Sequence, residues 1–217
     1  MSLAFASDSP AAIIERLVDH DEIPRDDKII VLHGATWADY QRLLELRGES
    51  SAPRLAYLEG ALEIMLPSRF HESIHFMIGR LIEVWCLEVG VEFSGYGSWT
   101  REKKEDRRGV EPDACYVFGT NSDPERPDLA IDVIWTSGGV DKLAIYAALG
   151  VREVWFWRGG RLSVHVLRDG AYEEVAASEV LPGIDLVELA QFIVRPTASQ
   201  GIREYRSALQ TRGVHGA

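Results

Sequence analysis

Two carboxylates and one lysine stand where they could share one chemical task. Asp113 opens a short apolar segment at 114–117, and Asp132 lies inside a second one at 129–135. Both segments are rich in β-branched or aromatic residues, which favours strands. Lys142 follows near the start of a segment with helical periodicity. A carboxylate among apolar residues is costly to bury unless something compensates its charge.

A divalent cation would compensate both acids at once. Mg²⁺ prefers hard oxygen ligands, takes one or two carboxylates and fills its octahedron with water and phosphate oxygens. A lysine on the following helix could stabilise charge that develops on a phosphate or an attacking water. Asp113, Asp132 and Lys142 therefore indicate metal-assisted hydrolysis of a phosphodiester. Spacing alone leaves a plainer alternative open, in which the acids lie at strand ends and the lysine is solvated.

A competing motif precedes them. Residues 71–75 read His-Glu-Ser-Ile-His, which matches H-E-x-x-H. On a helix, His71 and His75 share one face, as a zinc pair requires, and Glu72 would be the general base of a peptide hydrolase. No third histidine follows at the spacing of the extended zinc motif. Glu88 and Glu92 are placed too far along the helix, or just beyond it, to act as the third ligand.

Composition is that of an ordinary globular protein of 217 residues, with 46% hydrophobic and 26% charged residues. The net charge of −11, from 23 basic and 34 acidic residues, counts against a non-specific nucleic-acid binder with a basic face. Cys86 and Cys115 fit buried, reduced thiols. With no apolar run of membrane length and no secretory signal, the sequence predicts a cytoplasmic protein.

The order of predicted elements is helices, a hairpin, a long helix, strands, a crossover helix and an antiparallel meander. This order favours an α/β fold with a mixed sheet and helices on both faces. We expect an N-terminal helical segment at 1–54, with a first helix at about 11–19, packed on a core domain at 55–195. A C-terminal tail would occupy 196–217.

With these residues in view, the chain resembles the putative restriction endonuclease family, a bacterial branch of the PD-(D/E)XK nuclease superfamily. The resemblance spans about residues 30–195, and its blocks lie at 57–68, 71–74, 111–113, 127–133 and 141–155. The last block, which runs from Asp141 to Trp155, is the most specific. The resemblance implies a restriction-endonuclease-like core and a Mg²⁺-dependent nuclease, with Mn²⁺ able to substitute.

The resemblance also implies roles for individual residues. Asp113 matches the first acid of the motif and Asp132 the second, with the carbonyl of Val133 completing the protein's share of the metal shell. The usual lysine two places after the second acid is Ile134 here, and Lys142 on the next helix matches the relocated lysine. Glu63 and His71 stand where supporting residues often lie. Arg107 and Arg108, in a basic patch, are candidate substrate-binding residues.

Two alternatives remain open beside the nuclease hypothesis. The acidic charge, and an aspartate where glutamate is usual, would also suit a catalytically silent binding domain that keeps the fold. The zinc hydrolase is the other alternative. By analogy with the superfamily, the expected partners are nucleic acid, DNA in particular, and a second copy of the chain.

Overall fold

The computed structural model describes residues 27–97, 99–103, 106–121, 123–134 and 139–213. Within these ranges the chain forms eleven strands and five helices. The strands are β1 (Lys28–His33), β2 (Arg54–Leu58), β3 (Ala61–Leu66), β4 (Phe93–Tyr96), β5 (Arg101–Lys103), β6 (Arg108–Val110), β7 (Ala114–Phe118), β8 (Leu129–Val133), β9 (Glu153–Arg158), β10 (Arg161–Arg168) and β11 (Ala171–Val175). The helices are α1 (Trp37–Arg47), α2 (Arg69–Val89), α3 (Lys142–Leu149), α4 (Leu186–Ile193) and α5 (Ala198–Thr211).

The strands form two sheets. The five-stranded sheet has the order β1-β3-β2-β6-β5, and the six-stranded sheet has the order β11-β10-β9-β8-β7-β4. Within the described ranges, neighbouring strands pair antiparallel except β8 and β9, which are parallel, so the second sheet is mixed. The predicted α/β class and the antiparallel meander β9-β10-β11 are confirmed. The sequence patterns did not reveal that the strands divide between two sheets, because they indicate strands without indicating their neighbours.

The unit β8-α3-β9 positions the candidate site. Because β8 and β9 are parallel, the chain must cross from one end of the sheet to the other, and α3 provides this crossover. The Asp141 side chain caps the helix by accepting a hydrogen bond from the Ala144 N–H, and Gly150 ends it in the left-handed conformation. The cap fixes the first turn of α3, which carries Lys142.

Helices cover both faces of the six-stranded sheet, as predicted. Residues of β8 alternate between the two faces, as a strand requires. Leu129, Ile131 and Val133 belong to the large core with α2, α4 and α5. Ala130 belongs to the smaller core with Ile145 of α3. Asp132 follows the same alternation as Ala130, so its side chain lies on the α3 face.

The N-terminal part of the described chain packs on the hairpin β2-β3. β1 pairs with β3 along its whole length. α1 contributes Tyr40 and Leu43 to a third core with Leu55 and Leu62. The helix predicted at about 11–19 lies outside the described residues, and the division at 54/55 and 195/196 stays a prediction. Within the described part of the chain, no helix has the length and apolar character that crossing a bilayer demands.

Candidate active site

The register of β7 and β8 brings the two predicted acids together. Ala114 pairs with Ile131, and continuing this antiparallel register by one residue places Asp113 opposite Asp132. The Asp113 N–H donates to the Ile131 carbonyl at 3.1 Å, which extends the ladder to this position. The exposed fractions are 1% for Asp113 and 0% for Asp132. Like charges that face each other across two strands destabilise a sheet unless they are compensated.

Two side chains of α3 compensate Asp132. Nζ of Lys142 lies 3.0 Å from Oδ1, and the Tyr146 hydroxyl donates to Oδ2 at 2.7 Å. The two donors are four residues apart on the helix, so they project from one face. The helix therefore presents a cation and a neutral donor to the same carboxylate.

Asp113 is compensated from the opposite direction. Arg54, at the start of β2, donates to Oδ1. The His71 ring lies in the first turn of α2, with its Nε2 2.7 Å from Oδ2. The Val133 N–H also donates to Oδ2, at 2.6 Å. Three donors from three elements thus fix this carboxylate against the end of β8.

His71 links Asp113 to a third acid. Its Nδ1 lies 2.7 Å from Oδ2 of Asp27, whose other oxygen accepts the Ser68 N–H at 2.7 Å. Burial lowers the pKa of His71, but hydrogen bonds and charges from Asp113 and Asp27 outweigh it and raise the pKa to about 9. The imidazolium can then donate from both ring nitrogens.

The acids and the lysine differ in their electrostatics. Burial would raise the pKa of Asp113, but Arg54 and His71 hold it well below its usual range. Burial raises the pKa of Asp132, and the charge of Asp113 acts in the same direction. Burial would lower the pKa of Lys142, but its carboxylate neighbours, Asp132 first, raise it. The lysine is therefore held in its charged form beside the carboxylate that is more costly to ionise.

The H-E-x-x-H segment does not assemble a zinc site. Both ring nitrogens of His71 are engaged by carboxylates. Nε2 of His75 lies 2.9 Å from Oε2 of Glu72, and Oε1 of Glu72 accepts from Arg54 at 2.9 Å. Among the described residues, no group of three or more His, Cys, Asp or Glu side chains is placed to hold a metal ion. Glu72 serves as a counter-ion for Arg54 and is not poised as a general base.

A cavity of about 240 Å³ opens beside Lys142. Glu63 and Val133, both predicted site residues, line it together with Lys142 and Arg158. Oε2 of Glu63 accepts the Val140 N–H at 2.9 Å, which ties β3 to the segment that leads into α3. The cavity gives a ligand access to the lysine that holds Asp132.

The candidate substrate-binding arginines lie in and beside the β5-β6 turn. Arg107 is exposed, and its backbone adopts a positive φ of 50°. Arg108 donates to the Ala144 carbonyl at 3.1 Å and to Glu59 at 3.0 Å. Arg108 thus joins β6 to α3 and the β2-β3 turn. Neither arginine shares a described hydrogen bond with Asp113 or Asp132, and their role in substrate binding stays a prediction.

The donor set fits Mg²⁺ better than a softer metal. The two carboxylates and the Val133 carbonyl are hard oxygen ligands, and Mg²⁺ needs no more than this from a protein. Asp113 and Asp132 are adjacent, buried and matched by opposing cations. The predicted Mg²⁺ ligands are Asp113, Asp132 and the Val133 carbonyl, with Lys142 beside Asp132, and metal binding by this set stays a prediction.

The sequence analysis missed three important side chains. Arg54 and Tyr146 contact the two central acids directly, and Asp27 contacts His71. Tyr146 could have been found, because it lies one helical turn after Lys142 and so projects from the same side of the predicted helix. Arg54 and Asp27 are 59 and 44 residues from their partners Asp113 and His71, so only the folded chain brings them together.

Comparisons with known proteins identify what the chain is similar to. A model of the Uma2 family, described as putative restriction endonuclease, matches residues 37–195. A search of curated proteins finds no match. Among solved structures, the chain is similar to a putative nuclease of DUF820 from Anabaena variabilis, at 12% identity and a TM-score of 0.44. That alignment covers 79% of this chain and 99% of the other.

Proposed function

Because the chain belongs to the Uma2 family of putative restriction endonucleases, we propose that it is a Mg²⁺-dependent endonuclease that hydrolyses phosphodiester bonds in DNA. One observation carries the proposal. Nζ of Lys142 on α3 lies 3.0 Å from Oδ1 of Asp132 on β8. Asp132 in turn lies opposite Asp113, the residue before the neighbouring strand β7. This is the set of residue types that metal-assisted phosphodiester hydrolysis needs.

Each residue has a defined task in this proposal. Asp113 and Asp132 hold the cation, which when bound would polarise the scissile phosphate and lower the pKa of an attacking water. Lys142 stabilises negative charge on the phosphate, because its ammonium lies beside the Asp132 carboxylate and Lys142 lines the 240 Å³ cavity. His71 and Arg54 orient Asp113 through its two oxygens. Tyr146 orients Asp132.

A cleavage panel tests the proposal. Purified protein is incubated with plasmid DNA, linear duplex, single-stranded DNA and RNA, in Mg²⁺, Mn²⁺ or EDTA. We expect cleavage with Mg²⁺, its retention with Mn²⁺ and its loss with EDTA. Asp132→Asn should abolish it, whereas Asp169→Asn, a matched change in a surface turn, should leave it intact. Cleavage that persists in EDTA or in Asp132→Asn would refute the assignment.

One observation favours a second candidate function, a silent domain that keeps the fold. Both central carboxylates are already engaged, Asp113 by Arg54 and His71 and Asp132 by Lys142 and Tyr146. Calorimetric titration with Mg²⁺ separates the candidates. Millimolar or tighter binding that is lost in Asp132→Asn supports the enzyme, and the absence of binding supports the silent domain.

We further propose that the chain works as a homodimer, as its resemblance to the dimeric nucleases of the PD-(D/E)XK superfamily implies. Size-exclusion chromatography with light scattering tests this. A mass of twice 24.3 kDa is expected, and a monomer at all concentrations would contradict it.

A further inference from the structure

A second cavity lies on the other side of Asp113. It has a volume of about 270 Å³ and runs between α2 and the edge strand β4. Its lining includes Phe76, Arg80, Glu83, Tyr96 and Asp113. Because Asp113 belongs both to this lining and to the proposed metal site, a ligand in this cavity would lie next to that site.

Two aromatic rings stand open in this cavity. Phe76 on α2 is 55% exposed and Tyr96 on β4 is 36% exposed. The Tyr96 ring packs against Trp99 with centroids 4.9 Å apart, a contact that restricts its motion. The His75 ring lies 4.3 Å from Phe76 in the same way. Braced, exposed aromatic rings are the groups on which flat heterocycles stack.

The polar lining selects a neutral ring and disfavours a phosphate. Oε1 of Glu83 accepts a hydrogen bond from the Tyr116 hydroxyl at 3.1 Å, so a carboxylate stands inside the cavity. A phosphate would be repelled there, whereas the N–H donors on the edge of a nucleobase could be accepted. Arg80, which is exposed on the same face of α2, offers a cation to the backbone at the rim.

One hydrogen bond joins a residue that lines the first cavity to a residue that lines the second. Val133 lines the first cavity and Asp113 the second, and the Val133 N–H donates to Oδ2 of Asp113 at 2.6 Å. A phosphodiester has one nucleoside on each side. A strand that crosses this point would place its phosphate at the acids and a base in each direction.

The charge of the chain limits the kind of strand. A duplex binder typically neutralises many phosphates, which a net charge of −11 opposes. Stacking on aromatic rings contributes about 1–3 kcal/mol to affinity for each base, in addition to contacts with phosphates. It requires that the base be unpaired.

We propose that the cavity formed by Phe76, Tyr96, Arg80 and Glu83 holds an unpaired nucleobase beside the scissile phosphate, so that the substrate is single-stranded or locally unpaired nucleic acid. This inference rests on the proposed nuclease function, and it names the substrate class of the same site.

The test is a binding experiment. A fluorescein-labelled 12-nucleotide DNA single strand and its duplex are titrated with the Asp132→Asn protein in Mg²⁺, and fluorescence anisotropy is followed. We expect the single strand to bind more tightly than the duplex. Phe76→Ala and Tyr96→Ala should each weaken its binding by about 5- to 150-fold. Phe70→Ala is the matched control, because Phe70 is 67% exposed on the same helix but does not line this cavity.

The outcomes separate the two proposals. Equal affinities of Phe76→Ala, Tyr96→Ala and Phe70→Ala, preference for duplex, or no binding of either probe would overturn the base-binding inference, whatever the wild-type protein cleaves. Single-strand binding that depends on Phe76, together with no metal-dependent cleavage by the wild type, would uphold the base-binding cavity and overturn the nuclease. Thermal unfolding of each variant confirms that it is folded.

Discussion

The ammonium of Lys142 lies 3.0 Å from Oδ1 of Asp132, and the Asp132 side chain is fully shielded from solvent. The contact joins the first turn of a crossover helix to the strand that precedes it. A charge pair of this kind gains from the low local dielectric, but each partner depends on the other, because an unpaired charge at this depth is costly.

Loss of Lys142 should therefore destabilise the protein. In Lys142→Met the buried carboxylate of Asp132 loses its cation, and we expect the free energy of unfolding to fall by about 3–5 kcal/mol. Urea denaturation measures this change. The double variant Asp132→Asn with Lys142→Met removes both charges and should recover much of the loss. A single variant as stable as the wild type would show that the pair is not electrostatically coupled.

Removing the Tyr146 hydroxyl tests the second support of Asp132. Tyr146→Phe keeps the ring in its core and deletes the donor 2.7 Å from Oδ2, so we expect a loss of about 1–3 kcal/mol in unfolding free energy. Tyr205→Phe is the control, because the buried Tyr205 hydroxyl has no hydrogen-bond partner among the described residues. Equal losses in the two variants would contradict a special role for the Tyr146 bond.

Arg54 should compete with an added cation for Asp113. In Arg54→Gln the carboxylate loses its counter-charge, so the metal-free protein should be less stable than the wild type by about 3–5 kcal/mol. Mg²⁺ binding to the native state should then restore more stability than it adds to the wild type.

The Arg54 measurement is thermal unfolding with and without Mg²⁺. Arg42→Gln breaks an exposed ion pair, with side chains 68% and 69% exposed, and should change little. If Mg²⁺ shifts Arg54→Gln and the wild type equally, Arg54 and the cation do not share Asp113.

His75 should make stability depend on pH. Burial lowers the pKa of His75 from 6.5 to about 4, so the unfolded state binds a proton at a higher pH than the folded state. Stability from this residue is complete above pH 6.5 and declines as the pH falls towards 4, by at most about 3 kcal/mol. Denaturation midpoints between pH 4 and 7 measure it.

His75→Gln removes this titration and should show a flatter stability profile between pH 4 and 6.5 than the wild type. The charged neighbours Glu72, Arg54, His71 and Asp113 are present in both proteins, so the difference between the two profiles reports on His75. Parallel profiles would show that His75 is not buried in its neutral form.

Much of the secondary structure was determined by the sequence. Hydrophobic periodicity predicts the hairpin β2-β3 and the long helix α2, because these signals are local. The local signals of the crossover helix α3 lie at its two ends, where Asp141 caps the first turn and Gly150 ends the helix in the left-handed conformation. The parallel pairing of β8 with β9 follows from such a crossover.

The family pattern named Asp113, Asp132 and Lys142, and the fold brings all three to one place. What only the tertiary structure decided is how their charges are balanced. Arg54 and Asp27 reach the site through pairings and packing between segments far apart in the chain, and no local periodicity encodes such contacts. Local periodicity does not encode the cavity beside Phe76 and Tyr96 either, since that cavity is the space left between α2 and β4 when they pack.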